Sequence, residues 1–257
     1  MQEFIDIGCD VGESFGVYRY GYDEEVMDLI TSANIACGFH AGDPVTMRKT
    51  VIMARNKNIA VGAHPGLPDL MGFGRRFMNI PAPEICDLVT YQIGALDSFC
   101  RIAGVTLRHV KFHGALARMF SNDEVLAAML ADSISSYNNK LILVAFAGSQ
   151  LEKAGLERGL SVAGEVLIDR GYNAAGNLIP VREAGGIVKD PRLIMEQAEE
   201  VIFNRRIRTA ENTHVNLKRV HTLGFHYGTT GLDLVKTIRA RLENAGIKVR
   251  PLSDFLC

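Results

Sequence analysis

The stretch ITSANIACGFHAGDPVTMRKTVIMARNKNIAVGAHPG, residues 30–66, decides the fold. It contains an apolar run at 33–37, an amphipathic stretch at 44–57 and a second apolar run at 60–63. The Asp-Pro pair that opens the amphipathic stretch suits the N-cap and the first turn of a helix. A strand, a helix and a second strand in this order predict a βαβ unit, whose two strands are parallel.

The same alternation continues along the chain, so residues 1–257 are expected to form a single α/β-barrel domain. Seven or eight mainly parallel strands close into a (β/α) barrel or form an open doubly wound sheet. The absence of GxGxxG after the first strand favours the barrel. The predicted strands are 4–9, 33–37, 60–63, 109–112, 141–145, 160–163 and 222–225, with a weaker one at 249–252. The predicted helices are 44–57, 83–103, 123–137, 150–158, 191–204 and 231–245.

The composition argues against several classes of function. The formal net charge is -1 and no basic arm or stripe is present, so we expect no nucleic-acid partner and no membrane partner. Five cysteines without a CxxC pair indicate neither a disulfide framework nor a zinc knuckle. No long apolar stretch and no pattern of a secretion signal occur, so the expected location is cytoplasmic.

Polar residues follow several predicted strands at the point where each strand ends. Asp10 follows the first strand with Glu13 just beyond it, and four histidines follow later strands, namely His40, His64, His113 and His226. The loops after the carboxyl ends of parallel strands build the active sites of α/β folds. A lone histidine at a strand end is more often structural, but five such coincidences favour one shared site at the mouth of the barrel.

The residue types of this mouth point to two kinds of chemistry. Imidazole and carboxylate groups together support general acid–base catalysis near neutral pH. They are also the usual ligands of a hydrolytic metal ion, and Asp10, His40 and His64 form a candidate divalent-metal triad with an open position. The sequence alone leaves both interpretations open, because it contains no local metal motif such as HExxH.

Charged residues near these positions are candidates for substrate binding. Arg75 and Arg76 end the long glycine-rich stretch AHPGLPDLMGFGRR, and each either clamps a carboxylate or phosphoryl group or forms a surface salt bridge. Lys111 faces the mouth by strand alternation, so it binds the substrate or forms a buried ion pair. Glu165 follows the sixth predicted strand as a further acid or as part of a salt-bridge network.

The turn HYGTTG, residues 226–231, is a candidate anion site. It lies between a predicted strand and a predicted helix, and Gly228 and Gly231 allow the backbone to approach a ligand closely. Backbone N–H groups at a helix N-terminus favour anions. We therefore expect His226 and the two glycines to contact the substrate.

At these residues the chain resembles the LamB/YcsF family. The resemblance implies a barrel related to the glycoside hydrolase/deacetylase superfamily. It also implies the role of the A subunit in an ATP-dependent 5-oxoprolinase, which opens the lactam of 5-oxoproline to L-glutamate together with B and C subunits. The matching segments are DIGCDVGESFG at 6–16, SANIACGFHAGDP at 32–44, AHPGLPDLMGFGRR at 63–76, QIGAL at 92–96, HVKFHGAL at 109–116 and GEVLIDRGY at 164–172.

The resemblance also assigns motif positions, and the chain departs from some of them. The polar motif positions of the family correspond here to Asp10, Glu13, His40, His64, Lys111 and His113. The chain has Gly8 where the family has Asn, Phe112 where it has Pro, and Tyr227-Gly228 where it has Gly-Asp. The acidic residue of the late motif is therefore missing; if that residue contributes to substrate or metal handling in the family, this chain is expected to prefer another lactam or amide.

Three functions remain open on this basis. In the first, ATP phosphorylates the amide oxygen and water then attacks, with His113 or His64 as the base. Because the chain has no GxxxxGK[ST] motif, its ATP site is expected to be shared with, or located on, partner subunits. The second function is a stand-alone metal-dependent amidase or deacetylase acting on a related lactam, amide or N-acetyl sugar. The third is a non-catalytic ligand-binding subunit.

Overall fold

Seven parallel strands close into a barrel in the computed structural model, which describes residues 3–256 except the side chains of residues 122, 227 and 229. The strands are β1 (Phe4–Val11), β2 (Ser32–Ala36), β3 (Ala60–His64), β4 (Leu107–Lys111), β5 (Ile142–Phe146), β6 (Val162–Leu167), β7 (Arg206–Arg208), β8 (His214–Asn216), β9 (Thr222–Phe225) and β10 (Lys248–Val249). The ring runs β1-β2-β3-β4-β5-β6-β9 and closes from β9 back onto β1. The predicted barrel is confirmed, and the weaker eighth strand is β10, a short parallel addition to the start of β1.

Helices surround the ring in the connections between its strands. They are α1 (Asp23–Val26), α2 (Pro44–Asn56), α3 (Ala82–Ala103), α4 (Gly114–Asn122), α5 (Glu124–Asn138), α6 (Gln150–Glu157), α7 (Pro191–Asn204), α8 (Tyr227–Thr230) and α9 (Leu232–Asn244). The predicted cap is confirmed, because the Asp43 carboxylate accepts from the N–H of Val45 at 2.8 Å; Asp190 caps α7 in the same way, accepting from the N–H of Arg192 at 2.9 Å. No helix in the described part of the chain is long and apolar enough to cross a membrane.

Strand β1 shows how the barrel separates an apolar layer from a polar lumen. Its odd-numbered residues from Ile5 to Val11 are buried in the apolar core between the strands and the helices. Its even-numbered residues point into the lumen, because successive side chains of a strand alternate. There the Asp6 carboxylate accepts from the hydroxyls of Thr31 at 2.7 Å, Ser32 at 2.6 Å and Thr222 at 2.6 Å.

Glycines in the strands make room for the larger polar side chains of the lumen. A Cβ atom at Gly62 of β3 would overlap the ring of His109 on β4, and one at Gly224 of β9 would overlap the Glu165 carboxylate on β6. The missing side chains therefore let an imidazole and a carboxylate fit inside a seven-stranded ring. The space beside Gly62 is filled by His109, whose Nε2 lies 2.9 Å from Asn34 Oδ1.

The segment between β6 and α7, residues 168–190, crosses the carboxyl end of the barrel. Two isolated antiparallel bridges shape it, between Arg170 and Ile187 and between Tyr172 and Leu178. The sequence did not predict this arrangement. It also did not predict the β7–β8 hairpin or the helices α1, α4 and α8, since short elements carry too few periodic positions to be recognised.

Candidate active site

The six residues predicted to be catalytic converge at the carboxyl end of the barrel. Each is at most 7% exposed, although each carries a polar or charged group. They come from four strands and the loops that follow them: Asp10 and Glu13 from β1, His40 from β2, His64 from β3, and Lys111 and His113 from β4. The expected gathering at one mouth is therefore found, because parallel strands deliver their ends to the same face.

One side of the mouth, the histidine wall, consists of Glu13, His40, His64 and His113. One potential ligand atom from each lies within 4.8 Å of the others. The rings of His40 and His113 stack with centroids 3.8 Å apart and planes 4° from parallel. The His64 ring stands perpendicular to both, with centroids 5.3 and 5.0 Å away.

Backbone carbonyls fix the tautomers of two of these rings. His64 Nδ1 lies 2.8 Å from the Lys111 carbonyl oxygen, and His113 Nε2 lies 2.8 Å from that of Phe73. A carbonyl only accepts hydrogen bonds, so these two nitrogens carry the protons of the neutral rings. The opposite nitrogens, His64 Nε2 and His113 Nδ1, then face each other at 3.0 Å as two lone pairs. A proton or a cation between them satisfies both.

His40 is fully buried and has two unsatisfied ring nitrogens. Neither Nδ1 nor Nε2 has a hydrogen-bond partner among the described residues. The nearest carboxylate oxygen is Glu13 Oε1, which lies 3.6 Å from Nε2 and is too far for a hydrogen bond. A buried polar group without a partner costs about 1–3 kcal/mol, so its retention points to a bound group that completes it.

The glycine-rich loop after β3 packs directly on the histidine wall. A Cβ atom at Gly66 or Gly74 would collide with His40, so only glycine lets the loop pass this close. Gln92 on α3 anchors the loop, accepting from the Gly66 N–H at 2.9 Å and donating to its carbonyl at 3.0 Å. These contacts join the glycine-rich loop to the QIGAL segment of α3.

Burial shifts the protonation of the histidine wall. Desolvation, strengthened by the nearby Asp10 charge, raises the pKa of Glu13 to about 7. Desolvation and the neighbouring imidazoles hold the pKa values of His40 and His113 well below their usual range. At neutral pH these two rings are therefore uncharged, and Glu13 is poised to gain or lose a proton.

A buried ion-pair network supports the floor of the mouth. Lys111 Nζ donates to Asp10 Oδ1 at 2.9 Å and lies 2.8 Å from Glu165 Oε1. Although burial alone lowers the pKa of the ammonium, the two carboxylates raise it far above its usual value, so Lys111 is charged. Asp10 also lies 3.2 Å from His64 Nε2. Burial opposes its ionisation, but His64 and Lys111 hold its pKa well below the usual range.

The predicted late-strand turn is only partly at the site. His226 lies beside Asp10, and its Nδ1 is 3.1 Å from Asp169 Oδ2. Burial alone lowers the pKa of His226, but the Asp169 carboxylate raises it, which favours the imidazolium. Gly228 lines the same cavity, whereas Gly231 caps α9 and lines neither cavity at the mouth. The side chain of Tyr227 lies outside the described part of the structure.

The two arginines at the end of the glycine-rich loop have different surroundings. Arg76 pairs with Asp69, with Nε 2.9 Å from Oδ1. It therefore forms the surface salt bridge that was one of its two expected roles. Arg75 makes no such pair among the described residues and holds its guanidinium carbon 5.5 Å from the centre of the Phe73 ring. Arg75 therefore remains available to a ligand.

Two cavities open above these groups, of about 460 and 540 Å³. Volumes of this size are typical of small-molecule sites. The larger one also reaches Glu13 and Phe73. The residues that both cavities share are Asp10, Arg75, His113, Arg170, Val181 and His226.

Sequence reasoning missed two lining arginines. Arg118 lies on α4, which follows His113 but was not predicted, and Arg182 lies in the segment that crosses the mouth. The helical spacing of residues 114–122 is a weak signal that places Arg118 near the site. No sequence signal placed Arg182 there, because a long loop has no periodicity that fixes its path.

A closed parallel barrel with buried acid, imidazole and ammonium groups at the carboxyl ends of its strands is the arrangement of an α/β-barrel enzyme. The chain belongs to the LamB/YcsF family, which it matches over residues 5–257.

Individual relatives cover the chain almost end to end. The A subunit of 5-oxoprolinase from Pyrococcus abyssi is 45% identical over 253 residues, which is 98% of this chain and 99% of the relative. A lactam utilization protein from Thermus thermophilus has a similar structure, with a TM-score of 0.88 at 36% identity over 96% of this chain and 99% of that chain.

A more distant solved structure shares the fold. A mutant of a CE4 family pseudoenzyme with restored enzymatic activity has a TM-score of 0.50 at 9% identity. That comparison covers 100% of this chain and 68% of the other. At this level of identity the likeness concerns the fold alone.

Proposed function

We propose that this chain is the A subunit of an ATP-dependent 5-oxoprolinase, acts in the cytoplasm, and opens the lactam of 5-oxoproline to L-glutamate. Relatives of this name match it over nearly their whole length. The observation that carries the proposal is the histidine wall beside a charged lysine, at a cavity large enough for a small lactam. We also propose that residues 1–257 form one barrel domain.

The geometry supports a division of roles among the buried groups. His113 Nδ1 and His64 Nε2 lie 3.0 Å apart, so this pair is suited to accept a proton from an attacking water molecule. Lys111 uses two of its three N–H donors on Asp10 and Glu165, which leaves the third for the oxygen of the scissile amide. Glu13, with its pKa at about 7, carries protons between water and the imidazoles.

The ATP site is proposed to lie on, or be shared with, partner subunits of the B and C type. An unstrained five-membered lactam is a stable amide, so coupling to ATP hydrolysis makes its opening favourable. The chain lacks the GxxxxGK[ST] loop that cradles nucleotide phosphates in many enzymes. The relatives are named as one component of a larger enzyme, which agrees with an assembly in which another chain supplies this part.

A divalent metal ion also fits the histidine wall. Lone pairs of His64 and His113, an orphaned nitrogen of His40 and the Glu13 carboxylate converge, and two carbonyls orient the rings as metal-bound imidazoles require. When bound, such an ion supplies an activated water molecule. The triad of Asp10, His40 and His64 that the sequence suggests is a less favourable set, because Lys111 and Asn34 already occupy Asp10 Oδ1.

Reconstitution tests the proposed function. The chain is mixed with candidate B and C subunits, 5-oxoproline and ATP, and glutamate release is followed with each component omitted in turn. The proposal predicts glutamate only when this chain, its partners and ATP are all present. Glutamate formation at the same rate without this chain would refute the proposal.

Metal analysis separates the second candidate function, a stand-alone metal-dependent amidase or deacetylase. The orphaned nitrogens of His40 favour this function, since a metal ion is the group that most directly satisfies them. It predicts stoichiometric metal in the purified chain, and ATP-independent hydrolysis that is lost on chelation. A non-catalytic ligand-binding subunit predicts ligand affinity and unchanged glutamate release in the complex after His64 or His113 is replaced.

A further inference from the structure

Five arginines line the cavity above Lys111, and four of them, unlike Arg76, form no ion pair with a carboxylate in the described structure. Arg75 comes from the loop after β3, Arg118 from α4, and Arg170 and Arg182 from the segment that crosses the mouth. They line the 460 Å³ cavity together with Asp10, His64 and His113. We call these four residues the arginine wall.

The members of the arginine wall form no direct ion pairs. None of its four guanidinium groups is ion-paired with a carboxylate in the part of the chain that the structure describes. The cavity contains two carboxylates: Asp10, which is held by Lys111, and Glu183, which is exposed on the crossing segment. Arg76, one residue from the wall, shows the usual alternative, because Asp69 neutralises it.

Three of the four guanidinium groups are held in position by uncharged contacts. Arg170 is 7% exposed, and it donates from Nε to the Gly186 carbonyl at 2.6 Å and from Nη2 to the Ile179 carbonyl at 2.7 Å. The guanidinium carbon of Arg118 lies 4.5 Å from the centre of the Phe77 ring, and Arg75 stacks similarly on Phe73. These contacts orient the groups and leave their charge unneutralised.

The groups are also close enough to repel one another. Burial lowers the pKa of Arg170; the nearby Asp169 charge opposes this shift, and the positive charges of Arg75 and Arg118 add to it. Converging cations without directly paired carboxylates cost free energy in the empty cavity, and a bound anion lowers that cost. The single carboxylate of a small lactam satisfies one guanidinium, so four of them match a ligand that carries further negative charge.

We propose that the arginine wall is a subsite for a phosphoryl group, next to the histidine wall. Guanidinium groups bind phosphoryl oxygens through paired, charge-assisted hydrogen bonds, and the planar fork of arginine suits this better than the ammonium of lysine. The phosphoryl group belongs to a phosphorylated substrate, to the terminal phosphate of a nucleotide, or to free phosphate. Which source applies depends on the proposed function, whereas the subsite itself does not.

Direct binding to the isolated chain tests the subsite. Inorganic phosphate, ATP and ADP are titrated calorimetrically into the full chain at low ionic strength, with EDTA present so that no metal ion in the histidine wall binds them. The test variant is the double substitution Arg118→Gln and Arg182→Gln. The matched control is Arg108→Gln, which removes an exposed arginine at the opposite end of the barrel, where β4 begins.

The subsite predicts saturable phosphate binding that weakens with added salt. The double variant is expected to bind phosphate at least about tenfold more weakly for each arginine removed, and the control within about twofold of the wild type. ATP binding far tighter than phosphate and ADP identifies the nucleotide as the source. Equal binding of ATP and phosphate identifies a phosphorylated substrate or free phosphate.

Two results would overturn the proposal. One is the absence of phosphate and ATP binding to the wild-type chain up to about 10 mM, a limit that corresponds to roughly −3 kcal/mol. The other is equal affinity in the wild type and the folded double variant. Neither result bears on the glutamate-release assay, so the subsite can fail while the proposed function stands.

Discussion

The histidine wall and the arginine wall face the same cavity but differ in what they lack. The histidine wall has two uncharged imidazoles, His40 and His113, and the His40 ring makes no hydrogen bond in the described structure. The arginine wall has charged donors that are oriented by backbone carbonyls and aromatic rings and form no direct ion pair in the described structure. The first arrangement suits taking up a proton or a metal ion, and the second suits holding an anion.

The floor of the lumen provides a reference for both walls. There the Asp6 carboxylate accepts from three hydroxyls, and burial raises its pKa to about 6. Such a saturated polar group stabilises the lumen and leaves no free position for a ligand. Asp6 thus differs from His40, whose two ring nitrogens make no hydrogen bond in the described structure and are free for a ligand.

The largest expected effect follows from removing an imidazole of the histidine wall. His64→Ala removes one of the two lone pairs that face each other, so kcat for glutamate release should fall by at least about 10³-fold. His214→Ala, which removes an exposed histidine on β8, is the control and should retain the wild-type rate. Thermal unfolding of both variants checks that the fold persists. A His64→Ala complex with the wild-type kcat would remove this residue from the mechanism.

A smaller effect is expected from Glu13→Gln, together with a changed pH dependence. The pKa of Glu13 is raised to about 7, so its carboxyl group loses its proton as the pH rises through 7. If the ionised form is the active one, kcat/KM rises through this range and then levels off. Glu13→Gln should lower kcat/KM by about 10²-fold and abolish the rise. Persistence of the rise in the variant would assign it to another group.

Gly224→Ala tests the ion pair between Glu165 and Lys111 at the floor of the mouth. The new methyl group would overlap Glu165, which must then move away from Lys111. We expect a loss of about 1–3 kcal/mol in the free energy of unfolding and about a tenfold lower kcat. Gly94→Ala, in α3 with open space around it, is the control and should stabilise the chain by roughly 1 kcal/mol. Equal stability of the two variants would contradict the tight packing at Gly224.

The smallest effect is expected at Arg76. Its guanidinium already pairs with Asp69 and is largely exposed, so it has little capacity left for a substrate. Arg76→Gln should change KM for 5-oxoproline by less than about threefold, a difference under about 1 kcal/mol. A tenfold increase in KM would show that Arg76 leaves Asp69 to bind the substrate, and would extend the arginine wall by one residue.

The sequence predicted one wall far better than the other. Residues of the histidine wall follow parallel strands, and the barrel carries every strand end to the same rim, so their meeting could be inferred from position alone. The arginine wall depends on α4, whose short helical spacing is only a weak signal, and on the path of residues 168–190, which has no periodic pattern that fixes its placement. The tautomers of His64 and His113 were equally inaccessible, because distant carbonyls determine them.

The central claim is that the histidine wall performs the ring opening while the arginine wall holds an anion. A crossed measurement on His113→Ala tests it most directly: kcat for glutamate release by the complex, and the phosphate Kd of the isolated chain. We predict that kcat falls by at least about 10²-fold while the Kd changes by less than about threefold. A wild-type kcat in this variant would contradict the account.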